Sequence, residues 1–416
     1  MSVPKLRFKE FDGEWHQSSL GQLTNYFKGY AFKSESYKER GVRIIRVSDL
    51  GLDSIKYDND AIFLDETESS DYENWMLKKH DIIITTVGSK PHLIDSAVGR
   101  PIYIKNNYEG LLNQNLLVLR PINNEIEPYF IFSQLLDNKY LTHIETIQRG
   151  NANQSNITVK DLQEFKVFST AKTEQTKIAS FLSAVDEKIK QLTQKHELLS
   201  QYKQGMMQKL FSQQIRFKAD DGSEFGEWEE KELKDVANLT SSKRVHLADY
   251  VSKGIPFFRG KEITELKSGG FPSDILYISP TQFNEFKEKF GAPKNGEILI
   301  TAVGTLANTY LINTNYEFYF KDGNLIWLKD IKSNPNFLMI LLDAHKNDVL
   351  ASAIGSTQKA LTIANLNKLI FKFPTLEEQT KISNFLSAID QKIEVVAKQI
   401  EQTKQWKKGL LQQMFV

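Results

Sequence analysis

The chain has 416 residues, of which 40% are apolar and 25% charged. That balance belongs to a folded protein of two to four ordinary domains, not to a fibrous or disordered one. No apolar run approaches the roughly 20 residues that cross a bilayer, and the amino-terminal MSVPKLRFKEFDGEW lacks the apolar core of a signal peptide. Cysteine is absent, which excludes disulfides and thiolate metal sites and fits a reducing cytoplasm. The net charge of +1 argues against binding of polyanions through overall basicity, so any such contact has to be local or shared with other subunits.

In chain order, RFKEFDGEW at Arg7 to Trp15 precedes short β-rich runs at Arg43–Val47, Ile82–Val87 and Leu116–Leu119. Gly, Asn, Ser and Pro turns separate these runs. A helix is expected near Pro128 to Asp137, then a polar loop, Arg149 to Gln154, and then a long segment from Glu174 to Phe211. The same order then returns. RFKADDGSEFGEW starts at Arg216, GIPFFRGKEI at Gly254 answers GVRIIRVSDL at Gly41, and EILITAVG at Glu297 answers DIIITTVG at Asp81. Strands are expected at Ile298–Val303 and Leu325–Leu328, with a helix near Pro335 to Asp343. IGSTQKALTIANL at Ile354 answers RGNANQSNITVKDL at Arg149, and Glu378 to Phe415 aligns without a gap on Glu174 to Phe211. Each half is one variable α+β module followed by one nearly constant segment.

The constant segments lack Pro and are rich in Glu, Lys, Gln, Leu and Ala, as helices are. Apolar residues recur in steps of four and three: Ile178, Leu182, Val185, Ile189 and Leu192, and again Ile382, Leu386, Ile389, Ile393 and Val396. That heptad seam needs a partner helix, so a two-helix coiled coil is expected, each helix about 55 Å long. Thr173 or Thr375 is expected to cap a helix start, with Gln175 or Glu377 nearby. The expected boundaries are a first module over 1–172, its helix over 173–213, a second module over 214–376 and its helix over 377–416.

Catalytic motifs are missing. An adenine N6 methyltransferase needs Asn/Asp-Pro-Pro-aromatic, and a nucleotide-driven motor needs Gly-x-x-x-x-Gly-Lys-Ser/Thr; neither occurs. None of the seven histidines has a histidine at the matching place in the other half. Asp81 and Glu297 do correspond, and read as solvated carboxylates at strand entrances. No catalytic residue, metal ligand or cofactor is therefore assigned.

Reading DNA requires hydrogen-bonding side chains on loops near base edges, with further donors for phosphates. Both modules carry such residues at equivalent points. The first offers Arg43, Arg46 and Ser48, then Ser89, Lys90 and His92, then Arg149, Asn153 and Gln154. The second offers Arg259 and Lys261, then Thr305, Asn308 and Thr309, then Ser356, Gln358 and Lys359. Any one of these is unremarkable on a surface; their paired occurrence raises them above background.

The two Glu-Gln-Thr-Lys-Ile segments opening heptad helices, each preceded by a Gly-polar-Gln loop, resemble the specificity subunit of type I restriction–modification systems. The strand motifs Gly41 to Leu50 and Gly254 to Ile263 are similar to the family pattern, as is Phe373-Pro374; Phe168-Ser169-Thr170 departs from it. The resemblance covers the whole chain. It implies two tandem target recognition modules in a pseudo-two-fold arrangement, separated by two long antiparallel helices. Each module would read half of an interrupted site in double-stranded DNA. The helices would dock two methyltransferase subunits, which would bind S-adenosylmethionine and methylate adenine, and translocating restriction subunits would join through that core. The chain itself would catalyse nothing. A scaffold of two binding modules that does not bind DNA is the alternative reading.

Overall fold

In a computed structural model, described for residues 4–93, 97–151, 154–356 and 358–415, the chain forms two compact units. One comprises Met1–Gln194 with Ala397–Val416, the other Lys195–Val396. The apolar runs become the sheets. In the first unit, Ile82–Thr85 is buried along its whole length between Leu116–Pro121 and Pro101–Tyr103, with Thr24–Lys28 at the edge of this antiparallel sheet. A second sheet sets Val42–Ile45 between antiparallel Ile62–Leu64 and parallel Leu111–Leu112. Strands covered on both faces carry continuous apolar sequence instead of alternation, which is why IIIT and ILIT pack centrally.

The second unit repeats this topology. Ile298–Thr301 lies between Leu325–Lys329 and Thr309–Leu311, while Ile255–Phe258 pairs antiparallel with Leu276–Ile278 and parallel with Tyr319–Phe320. The helices expected near Pro128 and Pro335 run from Pro128 to Gln134 and from Pro335 to Ala344. Proline at the first helical position loses no hydrogen bond there.

The constant segments are helices Lys172–Phe211 and Leu376–Met414. The Glu and Gln of their Glu-Gln-Thr openings are buried. Gln175 accepts from the Glu127 amide at 3.0 Å and donates to the Thr170 carbonyl at 2.7 Å. Gln379 accepts from the Asn334 amide at 2.8 Å and donates to the Pro374 carbonyl at 2.9 Å. Each glutamine thus ties the start of its long helix to the start of a module helix. Thr375 does cap, accepting from the Glu378 amide at 3.4 Å. Thr173 does not, because the first long helix has already begun at Lys172.

Within each unit, parts of both long helices lie antiparallel. In the first, Asp186 pairs with Lys407 at 2.5 Å. Phe415 packs 6.2 Å from Trp15, whose indole reaches the Glu174 carboxylate. In the second, Lys203 pairs with Asp390 at 2.6 Å, and Phe211 lies 6.4 Å from Trp228, which reaches Glu378. Leu410, Leu411, Met414 and Phe415 therefore complete the core of the first unit. Their repeat equivalents Met206, Met207, Leu210 and Phe211 complete that of the second.

Asp81 and Glu297 are structural, but not as solvated groups. Asp81 is buried and takes a bidentate pair from Arg120 at 2.7 and 2.9 Å. Glu297 accepts from the Trp327 indole at 2.8 Å. Burial pushes its carboxyl above the usual range.

Candidate nucleic-acid interface

In the first unit a small antiparallel sheet collects the polar loops. Arg149–Asn151 pairs with Gln154–Asn156, which pairs in turn with Val87–Gly88. This sets the exposed Arg149 and Gln154 beside the turn that carries Ser89, Lys90 and the exposed His92. Ile157 donates its amide to the Thr86 carbonyl at 3.0 Å, fixing the base of the hairpin to the central strand. Arg149 also pairs with Asp161 at 3.0 Å. Asn153 lies outside the described residues.

The second unit builds the same feature. Ile354 and Ala360 pair as an antiparallel bridge, and Leu361 donates to the Ala302 carbonyl at 2.9 Å. Ser356, Gln358 and Lys359 project from the loop between, all exposed. Each hairpin carries a glycine directly after its first paired residue, Arg149 or Ile354. Gly150 has φ +116 and Gly355 φ +115. A Cβ on either would meet the carbonyl oxygen of Gln154 or Gln358 at 2.3 Å, so only glycine fits.

The arginines fare differently. Arg46 and Arg259 both bind a carboxylate three residues on: Arg46 with Asp49 at 3.2 Å and Arg259 with Glu262. Asp49 and Glu262 are fully buried. Burial drives each carboxyl upward, but hydrogen bonds from the arginine side chain and backbone outweigh it and hold both below their ordinary values. Arg43 is packed into the same centre, donating to the Lys56 carbonyl at 2.6 Å and Asn59 at 2.8 Å. The three guanidinium groups, expected from the sequence to contact DNA, thus also brace the turn after the strand. Exposed Ser48 and Lys261 occupy equivalent places on that turn.

Other residues join the same surfaces. Arg100 bridges the Gly51 and Leu93 carbonyls at 3.4 and 2.9 Å, drawing the Ser48 turn toward the His92 turn. In the second unit, Arg259, Lys261 and Thr305 line one cleft of about 530 Å³. Asn308 directs its side-chain amide to Thr264 at 3.1 Å, and Thr309 is buried against Asp343 at 2.6 Å, so Thr309 offers nothing outward. The reading from sequence missed Asp49 and Glu262, although an acidic residue three positions after a matched arginine is visible in both repeats. Arg100 has no matching arginine in the other half, so the repeat gave no signal for it.

Among the described residues no cluster of potential metal ligands exists, and no helix is long and apolar enough to cross a membrane. The model of the type I restriction modification DNA specificity domain matches residues 12–201 and again 226–405. A putative type I restriction enzyme specificity subunit of Methanocaldococcus jannaschii is 26% identical over 429 aligned residues, covering 98% of this chain and 94% of that protein. A putative specificity subunit of Haemophilus influenzae is 32% identical over 163 residues, 38% of this chain and 39% of that one. The crystal structure of a type I S subunit from M. genitalium superposes with a TM-score of 0.63 at 17% identity, covering 100% of this chain and 99% of that one, a likeness of fold. Two matches of the same family model, one per repeat, account for the duplication, and the chain belongs to the family of type I restriction–modification DNA specificity proteins, the non-catalytic component of such systems.

Proposed function

We propose that the chain reads a bipartite sequence in double-stranded DNA and directs adenine methylation and restriction by partner subunits in the cytoplasm. The modules spanning 1–172 and 214–376 each read one half-site, and the helices over 173–213 and 377–416 space them. Two methyltransferase subunits bind the chain, and restriction subunits join through them. One observation carries the reading: both units present a glycine-containing polar hairpin clamped to the end of the central strand, with different side chains on the same frame. A shared frame with divergent loops suits two readers of two different sequences. Gln154 and Gln358 are assigned to base edges, where an amide can pair with adenine. Arg149, Lys90, His92, Ser89, Ser48, Lys261, Thr305, Asn308, Ser356 and Lys359 are assigned to phosphates or base edges around them. Arg43, Arg46 and Arg259 brace the loops and are assigned to the same DNA-facing surface.

The test is methylome sequencing of cells expressing the chain with its methyltransferase partner, followed by binding of the assembled complex to the site so found. An interrupted two-part site, with affinity falling steeply as salt rises, is expected. One continuous site, or affinity indifferent to salt, overturns the reading.

A further inference from the structure

Each module carries a second polar segment at the end of its central strand, LNQNLL from Leu112 and KDGNLI from Lys321. In the first unit, Leu111–Leu112 belongs to one sheet and Leu116–Pro121 to the other, so Asn113, Gln114 and Asn115 cross between them. In the second, Lys321 to Asn324 cross from Tyr319–Phe320 to Leu325–Lys329. Surface connections are ordinarily the mobile parts of a fold, but these are pinned at both ends. Asn113 donates its amide to the Ile45 carbonyl at 3.1 Å, and Gln114 donates to that of Tyr30 at 2.8 Å. Lys321 donates to the Phe258 carbonyl at 2.9 Å. At the other end, the Asn115 carbonyl accepts from the Thr86 amide and the Asn324 carbonyl from the Ala302 amide, both at 2.8 Å.

These anchors fix where each crossing lies. Ile45 and Phe258 immediately precede Arg46 and Arg259, which brace the turn carrying Ser48 or Lys261. Thr86 and Ala302 are the residues whose carbonyls hold the hairpins, through the amides of Ile157 and Leu361. Each crossing therefore lies between two features already assigned to DNA. In the second unit, Asn324 lines the same cleft of about 530 Å³ as Lys261 and Thr305. Two strands that flank a third lie about 10 Å apart, which places crossing and hairpin within about three base pairs of each other.

The side chains are available. Gln114 is exposed and Asn324 half-buried, and among the described residues neither side-chain amide has a hydrogen-bond partner. Asp322, the one acidic residue in either crossing, is paired with Arg244 at 2.9 Å, which offsets its repulsion of phosphate. We propose that the crossings are a second specificity loop in each module: Gln114 reads a base edge in the first half-site and Asn324 one in the second. This rests on the reading of the chain as a DNA-recognition subunit. A carboxamide sets a donor beside an acceptor, which complements N7 and N6 of adenine in the major groove. Each crossing therefore requires an adenine close to the bases met by its hairpin.

The experiment measures methylation by the assembled complex on duplexes altered one base pair at a time, for Gln114→Ala, Asn324→Ala and Gln114→Glu, with thermal melting of each purified chain. Gln114→Ala should reduce discrimination at one adenine of the first half-site by at least about fivefold. That position should differ from the one relaxed by Gln154→Ala, and the second half-site should be unaffected. Asn324→Ala should do the same in the second half-site, at a position other than that relaxed by Gln358→Ala. Gln114→Glu keeps the shape but can only accept, so the preference at its position should move from adenine toward cytosine. Melting temperatures should match that of the unsubstituted chain. Alanine variants with unchanged discrimination, or with equal loss at every base of both half-sites, overturn the proposal, as does a lowered melting temperature in both. Failure of the unsubstituted complex to methylate any two-part site overturns the functional reading itself, a distinct result.

Discussion

The Trp15 indole donates to the Glu174 carboxylate at 3.3 Å, and in the other repeat Trp228 donates to Glu378 at 3.2 Å. Arg7 and Arg216 complete the two centres with bonds of 2.6 and 2.7 Å. Each joins the amino-terminal arm of a module to the first turn of a long helix, with the carboxylate buried. Removing a buried carboxylate strands both an indole donor and a guanidinium. Glu174→Ala should therefore cost about 3–5 kcal/mol, whereas Glu174→Gln, which keeps the shape and an acceptor, should cost about 1–3 kcal/mol. Urea unfolding of the intact chain, with hydrogen exchange to locate the loss in the first unit, measures both. A loss under about 0.5 kcal/mol for the alanine variant, the range of an inert surface change, would count against this account.

Three buried carboxylates should make the fold acid-sensitive. Burial raises the pKa of Glu174, Asp49 and Glu262, but hydrogen bonds to the ionised forms outweigh it, so all three lie below their ordinary values of 4.5, 3.8 and 4.5. A depressed folded pKa contributes stability that is full above the ordinary value and is lost as pH falls through the folded one. The urea midpoint should hold steady down to about pH 5 and then drop. Glu262→Gln should lower the plateau and shallow the drop. A midpoint for the unsubstituted chain that stays flat down to about pH 3 would contradict the assignment.

The hairpin glutamines should act separately. Gln154→Ala should weaken discrimination at one half-site by about 1–3 kcal/mol, and Gln358→Ala at the other, if each makes a bidentate base contact. Binding of the assembled complex to DNA altered in one half-site at a time reads this directly. Equal loss at both half-sites from either change would mean that the residue is structural.

Gly150→Ala and Gly355→Ala should act on the same half-sites as their glutamine neighbours. Each puts a Cβ against a carbonyl oxygen at 2.3 Å and forces an alanine to a φ near +116 or +115. Strain of about 1–3 kcal/mol is expected, confined to the hairpin. Affinity should fall while the melting temperature of the chain changes little. A large fall in melting temperature would show that the hairpin supports the core.

A fragment ending near Phe211 should dimerise. The first unit's core requires Leu410, Leu411, Met414 and Phe415 against residues such as Trp15 and Phe130. The fragment lacks these but carries their repeat equivalents Met206, Met207, Leu210 and Phe211, which a second copy can supply reciprocally. With methyltransferase partners such a dimer should direct methylation to a palindrome of the first half-target. A monomer at micromolar concentration in light scattering, or methylation at an asymmetric site, would refute this.

Much of this was legible without coordinates. The repeat, the two long helices and the α+β character of the modules followed from alignment and periodicity, because helix-forming composition and seam spacing are local properties. The hairpins at Gly150 and Gly355 were visible as polar loops for the same reason. The tertiary structure alone decided where long-range pairs meet. No local pattern shows that Val87–Gly88 joins Gln154–Asn156, or that Leu410 to Phe415 close the core opened by Trp15, since these partners are far apart in sequence. It also gave Arg43, Arg46 and Arg259 their partners within the chain. An arginine on a strand-to-turn step reads as a free cation until folding buries Asp49 and Glu262 beneath it, and a buried carboxylate holds its counter-charge because burial without it is too costly.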